Sequence, residues 1–256
     1  MTEKNDPKAS AGARPAAFEV DIRERGRGAD GVPVFSERRL FMQLLAFRVE
    51  LGDVASLAHG LSVELADAGM SGVIYRDVNE PLSIAVLTFT EEPADFVTRL
   101  APAIERHTAL SNRPELTMLG RSYTSGYEQD LQFWLIDRPK QTVMNADAPW
   151  AVWYPLRRAG EFNRLTDRER GQILMEHGMI GRAYGERDLA HDVRLACHGL
   201  DREDNEFVIG LVGKELHPLS HIVQTMRSTR QTSEFMDKMG PFFVGYVAER
   251  FSAGNR

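Results

Sequence analysis

The order of strand-like and helix-like patterns is the feature that most restricts the fold of this chain. In the first half, apolar and aromatic runs typical of strands alternate with amphipathic stretches typical of helices. The order is strand, helix, strand, strand, helix, strand, over residues 39–49, 53–67, 72–75, 82–89, 92–107 and 116–123. Residues 79–81, Asn-Glu-Pro, indicate a turn between the two central strands.

The second half repeats this order without recognisable identity to the first. Its patterns predict strands over 150–155, 193–198, 206–212 and 241–247, and helices over 166–184 and 217–227. Two β-α-β-β-α-β units predict an α+β protein with two ferredoxin-like units in tandem, each an antiparallel sheet with helices on one face. The two sheets could join side by side or pack together, and the overall class is that of the dimeric α+β barrels.

The regions outside these patterns are poorer in large apolar side chains. Residues 1–33 are rich in Ala, Gly, Pro and charged residues, so we expect a disordered tail that cannot offset the entropy of ordering. Residues 125–148 are polar and contain proline, which is typical of a linker. We therefore predict an N-terminal unit over 34–148 and a C-terminal unit over 149–256.

Charge and cysteine content restrict the partners and the location. The chain has 31 basic and 37 acidic residues and a net charge of -6, a balance that does not favour nucleic acid or an anionic membrane surface. Its single cysteine, Cys197, excludes an internal disulfide and any C-x-x-C motif. Without an 18-residue apolar run or the hydrophobic segment of a secretory signal, we expect no membrane span and a cytoplasmic location.

One histidine stands on the apolar side of a predicted helix. Thr166 and Glu169 form a T-x-x-E capping box at the start of this helix. Ile173, His177, Ile180 and Tyr184 then recur at intervals of four, three and four, so the imidazole points where the apolar side chains point. From spacing alone, His177 is either a satisfied core histidine or a ligand, and two glycines at 178 and 181 would let a flat, bulky group approach the backbone.

Two strands of the second half carry polar candidates. Tyr154 ends an aromatic strand beside Arg157 and Arg158, whose guanidinium groups are either solvated or able to bind carboxylates bidentately. In the strand over 192–198, alternation places Asp192 and Arg194 on one face together with His198. That face is either exposed to solvent or lines a polar pocket. His217 and His221, four apart on a helix, are half of a possible metal site, but no third ligand has a suitable spacing.

Several of these segments together resemble one protein family. They are Trp153-Tyr-Pro-Leu156, Glu169-Arg170, the run from Met175 to Tyr184, Gly199-Leu-Asp201, Met226-Arg227 and Phe242-Phe-Val-Gly245. Their order and spacing are similar to those of the chlorite dismutase family, with the coproheme decarboxylases as the nearest branch. The resemblance covers about residues 150–247, with a looser likeness of element order over 36–148. It implies two ferredoxin-like units per subunit, a haem-binding C-terminal unit and a homo-oligomer, commonly a pentamer.

The resemblance also implies roles for individual residues. His177 would ligate the iron of a non-covalently bound haem b or coproheme. Tyr154 would be oxidised to a radical by hydrogen peroxide and abstract hydrogen from a propionate, so that two rounds with loss of carbon dioxide convert coproheme into haem b. Arg157 or Arg158 would help to hold the reacting propionate, and Arg227 would be a further cofactor-binding residue, because carboxylates need charge-assisted donors.

The residue on the distal side of the iron is left open. Asp192, His191 and Arg194 lie near the place where chlorite-degrading relatives carry an arginine, before the turn at Gly199. Arg194 there would act as a second catalytic residue and favour chlorite or peroxide as substrate, because a cation can hold an anionic oxidant. The alternatives to a decarboxylase are thus a haem oxidoreductase acting on chlorite or peroxide, and a haem carrier or sensor without catalysis.

Overall fold

The computed structural model describes residues 19–254 of the chain. The strands in this range are β1 (Glu24–Arg27), β2 (Pro33–Ser36), β3 (Phe41–Val49), β4 (Ser71–Asp77), β5 (Ser83–Thr90), β6 (Leu110–Asn112), β7 (Met118–Ser122), β8 (Trp150–Arg158), β9 (His191–Ala196), β10 (Phe207–Gly213), β11 (Met236–Met239) and β12 (Phe243–Phe251). The helices are α1 (Val54–Asp67), α2 (Ala101–Glu105), α3 (Arg138–Met144), α4 (Asp167–Glu186), α5 (Leu216–Met226) and α6 (Arg230–Phe235). π-Helical turns over Phe96–Leu100 and Phe133–Asp137 lead into α2 and α3, and 3-10 turns lie at Pro114–Leu116 and Gly160–Arg164.

Strand pairing confirms the predicted α+β class with two ferredoxin-like units. The first unit has the sheet order β7-β3-β5-β4, and the second has the equivalent order β9-β10-β8-β12, all antiparallel. β4 pairs with β12 and β7 pairs with β9, so the two sheets join edge to edge at both ends. Eight strands therefore form one closed sheet, with the helices of each unit on its outside.

Side chains that point into the closed sheet form an apolar cluster to which both units contribute. Trp153 on β8 and Tyr75 on β4, each 1% exposed, are its largest members. β10 crosses directly beneath the indole at Gly210, where a Cβ atom would lie 2.5 Å from two carbons of the Trp153 ring. Outside the sheet, α1 and α2 pack on the first unit, and α4 and α5 pack on the second.

The segment over 125–148, predicted as a linker, contains regular structure. The π-helical turn before α3 and α3 itself bring Leu135, Ile136 and Val143 into the same cluster as Trp153. Pro139 does not break the helical run over 131–144, and it lies where the π-helical turn over Phe133–Asp137 passes into α3. The polar residues of this segment had concealed an apolar face.

The predicted disordered tail was wrong where the structure describes it. β1 and β2 pair as an antiparallel hairpin, with Glu24 opposite Ser36 and Arg27 opposite Pro33. The hairpin is attached to the first unit through Glu24, whose carboxylate pairs with Arg121 at 2.8 Å. The charges of this segment thus make specific pairs instead of solvating it. Residues 1–18 of the predicted tail lie outside the described residues.

In the described range, no helix combines the length and apolar character needed to cross a membrane.

Candidate functional site

α4 runs over the outer side of the second unit and begins where the sequence predicted. Thr166 is its N-cap, and the side chains and backbone N–H groups of Thr166 and Glu169 form the reciprocal bonds of a capping box. Ile180 and Tyr184 pack against the apolar outer cluster of β8 and β10. His177 lies on this same side of α4, which places its imidazole between the helix and the sheet.

His177 is half-buried and has no hydrogen-bond partner in the part of the chain that the structure describes. Its Nδ1 atom is buried and unpaired. Burial, followed by the charge of Arg194, lowers the pKa of this imidazole below its usual 6.5. The ring is therefore neutral at pH 7 and neither nitrogen is hydrogen-bonded within residues 19–254, and a neutral imidazole is the form that coordinates a metal ion. A satisfied core histidine would have a partner for Nδ1.

Strand register brings Tyr154 and Arg194 to the same face. Tyr154 on β8 lies opposite Ile209 on β10, and Ile209 lies opposite Arg194 on β9. Three such neighbours in a row place the backbones of the outer two about 10 Å apart. Asp192 follows in the next row, beside Leu211. The sheet face under α4 is thus apolar in the middle and charged along β9.

Tyr154 is fixed by ring packing. Its side chain is 7% exposed and stacks on Phe242 with ring centroids 4.5 Å apart. Burial raises the pKa of its phenol, and the carboxylate of Asp192 raises it further. The hydroxyl group therefore keeps its proton across the physiological pH range.

The structure separates the two arginines after Tyr154. Alternation along β8 puts Arg158 on the face of Tyr154 and Arg157 on the other. Arg158 packs between the rings of Phe162 and Phe207, 4.5 and 4.6 Å from their centroids, and its Nε donates to Glu206 at 3.0 Å. Arg157 instead pairs with Asp237 at 2.9 Å. It is not brought together with the other candidates.

Arg227 is the C-cap residue of α5. It is exposed, and its positive charge acts to lower the pKa of the Tyr154 phenol. Among residues 19–254 its guanidinium has no ion pair or hydrogen bond to a side chain. It is therefore available to an anionic ligand near Tyr154.

The side chains of the three distal candidates, Asp192, Arg194 and His191, do not all lie on the same face of β9. Asp192 and Arg194 share the outer face of β9 and form an ion pair, Nε to Oδ2, at 3.0 Å. His191 has the opposite parity and pairs with Asp188 at 2.7 Å. Asp192 also pairs with Arg138 of α3 at 2.5 Å. Sequence reasoning missed Arg138, because its segment had been interpreted as a linker.

Tyr123, just after β7, was also missed. Its ring packs on Phe207 at 5.4 Å between centroids. Burial raises the pKa of its phenol, while the nearby charges of Arg194 and Arg158 oppose that shift. Its local sequence gives no sign of a functional role, because Tyr123 comes close to Arg194 only through the pairing of β7 with β9.

The two histidines of α5 do not complete a metal site. The Nδ1 atom of His221 is hydrogen-bonded to the hydroxyl of Tyr184, and the His217 ring lies 5.9 Å from the His221 ring. In the described part of the chain, no group of three His, Cys, Asp or Glu residues could hold an ion.

The site thus combines a neutral imidazole, a protonated phenol and three guanidinium groups around an apolar sheet face. A flat ligand could lie on the apolar residues with a metal at His177. Carboxylates on its rim would meet arginines, and a small molecule at its centre would meet β9. The donor set fits a metalloporphyrin with acidic side chains.

Comparison with known sequences points to one family. The family profile described as Chlorite dismutase matches residues 83–248, well over half of the chain. Coproheme decarboxylase from Mycolicibacterium smegmatis is 32% identical over 93 residues, which cover 36% of this chain. The match spans only 37% of the length of that relative.

Solved structures share the fold. A heme-binding protein from Thermus thermophilus aligns with a TM-score of 0.62 and 20% identity, covering 83% of this chain and 92% of that protein. A variant of chlorite dismutase from Candidatus Nitrospira defluvii aligns with the same TM-score and coverage at 14% identity. At these identities the likeness concerns the fold.

Proposed function

The chain belongs to the chlorite dismutase family, and from this premise we propose that it binds haem b or coproheme through His177 and decarboxylates coproheme with hydrogen peroxide. Two kinds of evidence support haem binding. One relative of the same fold is a heme-binding protein, and another relative by sequence is a coproheme decarboxylase. The other support is His177 itself, whose neutral imidazole has no partner within the described chain.

Tyr154 carries the choice of reaction. A decarboxylase of this family needs a tyrosine that holds its proton and lies next to a propionate. Tyr154 fits, because it is buried, stacked on Phe242 and on the sheet face that packs against Ile180 and Tyr184 of α4, the helix that carries His177. A bound iron porphyrin would supply the peroxide-driven oxidation of this phenol. Tyr154 would then take a hydrogen atom from the propionate, and the second oxidising equivalent of the same peroxide would take one further electron, so that the carboxyl group leaves as carbon dioxide and a vinyl group remains.

The arginines would orient the substrate. Arg227 has no ion pair or side-chain hydrogen bond within residues 19–254 and its charge acts on the Tyr154 phenol, so we assign it to the propionate that reacts. Arg158 lies on the same face and is rigidly packed, but it already shares its charge with Glu206. Its contribution to propionate binding is therefore smaller, and Arg157, on the other face, makes none.

Arg194 favours a second candidate function. Its Nε is bound to Asp192, and its charge reaches His177, which it acts on by lowering the imidazole pKa. A guanidinium at the iron would hold an anionic oxidant such as chlorite and assist cleavage of its bond to oxygen. Chlorite or peroxide oxidoreduction is therefore the alternative activity.

The deciding experiment adds ferric coproheme to the purified apoprotein and titrates it with hydrogen peroxide while product mass is recorded. We expect stepwise loss of two carboxyl groups in the wild type and none in Tyr154→Phe. Tyr127→Phe is the matched control, since its ring is 77% exposed and lies outside the site. Tight binding without a change of mass, followed by turnover of chlorite, would support the alternative. Binding without either reaction would leave a carrier or sensor.

The shared premise is tested by His177→Ala. We expect the absorption spectrum of the ferric haem complex to lose the signature of imidazole ligation. His59→Ala, an exposed histidine of the first unit that pairs with Glu249 at 3.2 Å, is the control and should bind normally. An unchanged spectrum in His177→Ala would overturn the haem assignment.

A further inference from the structure

Arg138, the first residue of α3, makes two polar contacts with a single residue of β9. Its Nη1 donates to the backbone oxygen of Asp192 at 2.9 Å, and its Nη2 pairs with Oδ1 of Asp192 at 2.5 Å. The guanidinium carbon also lies 4.9 Å from the ring centroid of Trp134. A planar fork with these contacts, on a side chain that is 21% exposed, is held in one orientation.

Asp192 links Arg138 to Arg194. Its second oxygen, Oδ2, lies 3.0 Å from Nε of Arg194, so both carboxylate oxygens are engaged by arginines. Burial alone would raise the pKa of Asp192, but Arg194 and Arg138 outweigh burial and lower it. The carboxylate is therefore ionised at neutral pH, and the chain Arg138–Asp192–Arg194 stays intact.

The two Nη groups of Arg194 remain available to a ligand. Nε is the atom nearest to the Asp192 carboxylate, and neither Nη1 nor Nη2 donates a hydrogen bond in the described part of the chain. The side chain is 40% exposed and stands two strands away from Tyr154 on the same face. A guanidinium fixed at Nε presents its two Nη groups to whatever binds there. With two arginines and one carboxylate, one positive charge remains available.

We propose that Arg138 is a positioning residue that acts through Asp192 to hold Arg194 toward the co-substrate site along β9, on the sheet side of the space between β9 and His177. The inference rests on the proposed function and deepens it, because it names what aims the charged group at a small anionic or polar oxidant. Without Arg138, Asp192 has only Arg194 as its partner. The Arg194 guanidinium then turns toward the carboxylate, and its charge is no longer offered to the ligand.

The test measures azide binding to the full chain loaded with ferric haem b, followed by absorbance. Arg138→Gln and Arg138→Lys should each weaken azide binding about tenfold, because lysine keeps the charge but cannot form the two-pronged contact. Arg113→Gln is the matched control: its guanidinium is also 21% exposed and pairs with Asp77 at 2.7 Å, in the first unit. It should lower thermal stability to a similar degree and leave azide affinity unchanged.

A double-mutant cycle isolates the route through Arg194. In an Arg194→Gln background, Arg138→Gln should have no further effect on azide affinity. Asp192→Asn is a separate route to the answer if the Arg138 variants do not fold. Positioning predicts weaker azide binding in Asp192→Asn, whereas simple removal of a negative charge predicts tighter binding.

Each outcome has a definite meaning. The positioning role would be overturned if Arg138→Lys bound azide as tightly as the wild type. It would also be overturned if Arg138→Gln still weakened azide binding in the Arg194→Gln background, or if Asp192→Asn bound azide more tightly than the wild type. None of these results concerns His177. Failure of the proposed function would be seen separately, as normal haem ligation in His177→Ala.

Discussion

Gly210→Ala tests the packing that supports the strand of Tyr154. A Cβ atom at this position would lie 2.5, 2.5 and 2.8 Å from three carbons of the Trp153 indole, distances below any real carbon–carbon contact. The indole is 1% exposed and rigid, so the ring or β10 must shift. Overpacking of a core costs about 1–3 kcal/mol, and this contact belongs at the upper end. For a chain of this size, about 3 kcal/mol corresponds to a fall in Tm of roughly 6–12 °C.

The assay is thermal unfolding of the apoprotein followed by circular dichroism. Gly60→Ala is the control, because Gly60 lies within α1 and a Cβ there would meet nothing within 4 Å. That change should raise stability by about 0.5–1 kcal/mol, since alanine restricts the unfolded backbone and favours the helix. A Tm for Gly210→Ala within about 2 °C of the wild type would refute the placement of the indole over β10.

Three further predictions concern the site elements. Thr166→Ala removes the N-cap of α4 and should lower the free energy of unfolding by about 1 kcal/mol in urea titrations, whereas Ser at this position should retain most of it. Asp192→Asn should lower stability by about 1 kcal/mol at pH 7. The pKa of Asp192 in the folded protein lies below 3.8, so the stability difference between wild type and Asp192→Asn is fully present above pH 3.8. The stability difference disappears as the pH falls through the folded pKa. A stability difference at pH 2 equal to that at pH 7 would contradict the ion-pair account. Ferric haem b should slow amide exchange across α4, where Ile173 is the one fully buried side chain in the helix, and unchanged exchange would exclude a ligand held between α4 and the sheet.

The fold was largely predictable, because its signals are periodic and local. The strand of 39–49 and the helix begun by Thr166 are examples in which apolar period and capping residues agree. The repeated element order then fixed the class. The closure of the two sheets was not predictable, since the pairs β4–β12 and β7–β9 join strands far apart in sequence.

The hairpin at the N-terminal end shows a different limit. Glu24 looks like a solvated charge in the sequence, yet it pairs with Arg121 nearly a hundred residues later and accepts a hydrogen bond from the backbone N–H of Thr124 at 3.0 Å. Its neighbour Gly26 fits against the backbone oxygen of Glu128, where a Cβ would lie at 2.3 Å. A polar, charged composition predicts disorder only if the charged side chains have no partners in the folded protein, and a single sequence does not reveal distant partners such as Arg121.

The site divides in the same way between what is local and what depends on register. Alternation within one strand is enough to group Asp192 with Arg194 and also to distinguish Arg158 from Arg157. The other groupings depend on which strands are neighbours. Tyr154 and Arg194 share a sheet face in one row because β10 lies between β8 and β9, with Ile209 between the two residues. The contact of Arg138 with Asp192 also requires the segment between the two units to pack against the apolar cluster inside the closed sheet. This packing brings Arg138, the first residue of α3, to β9. The Arg138–Asp192 pair therefore depends on the complete tertiary fold and does not follow from local patterns, although both side chains are visible in the sequence.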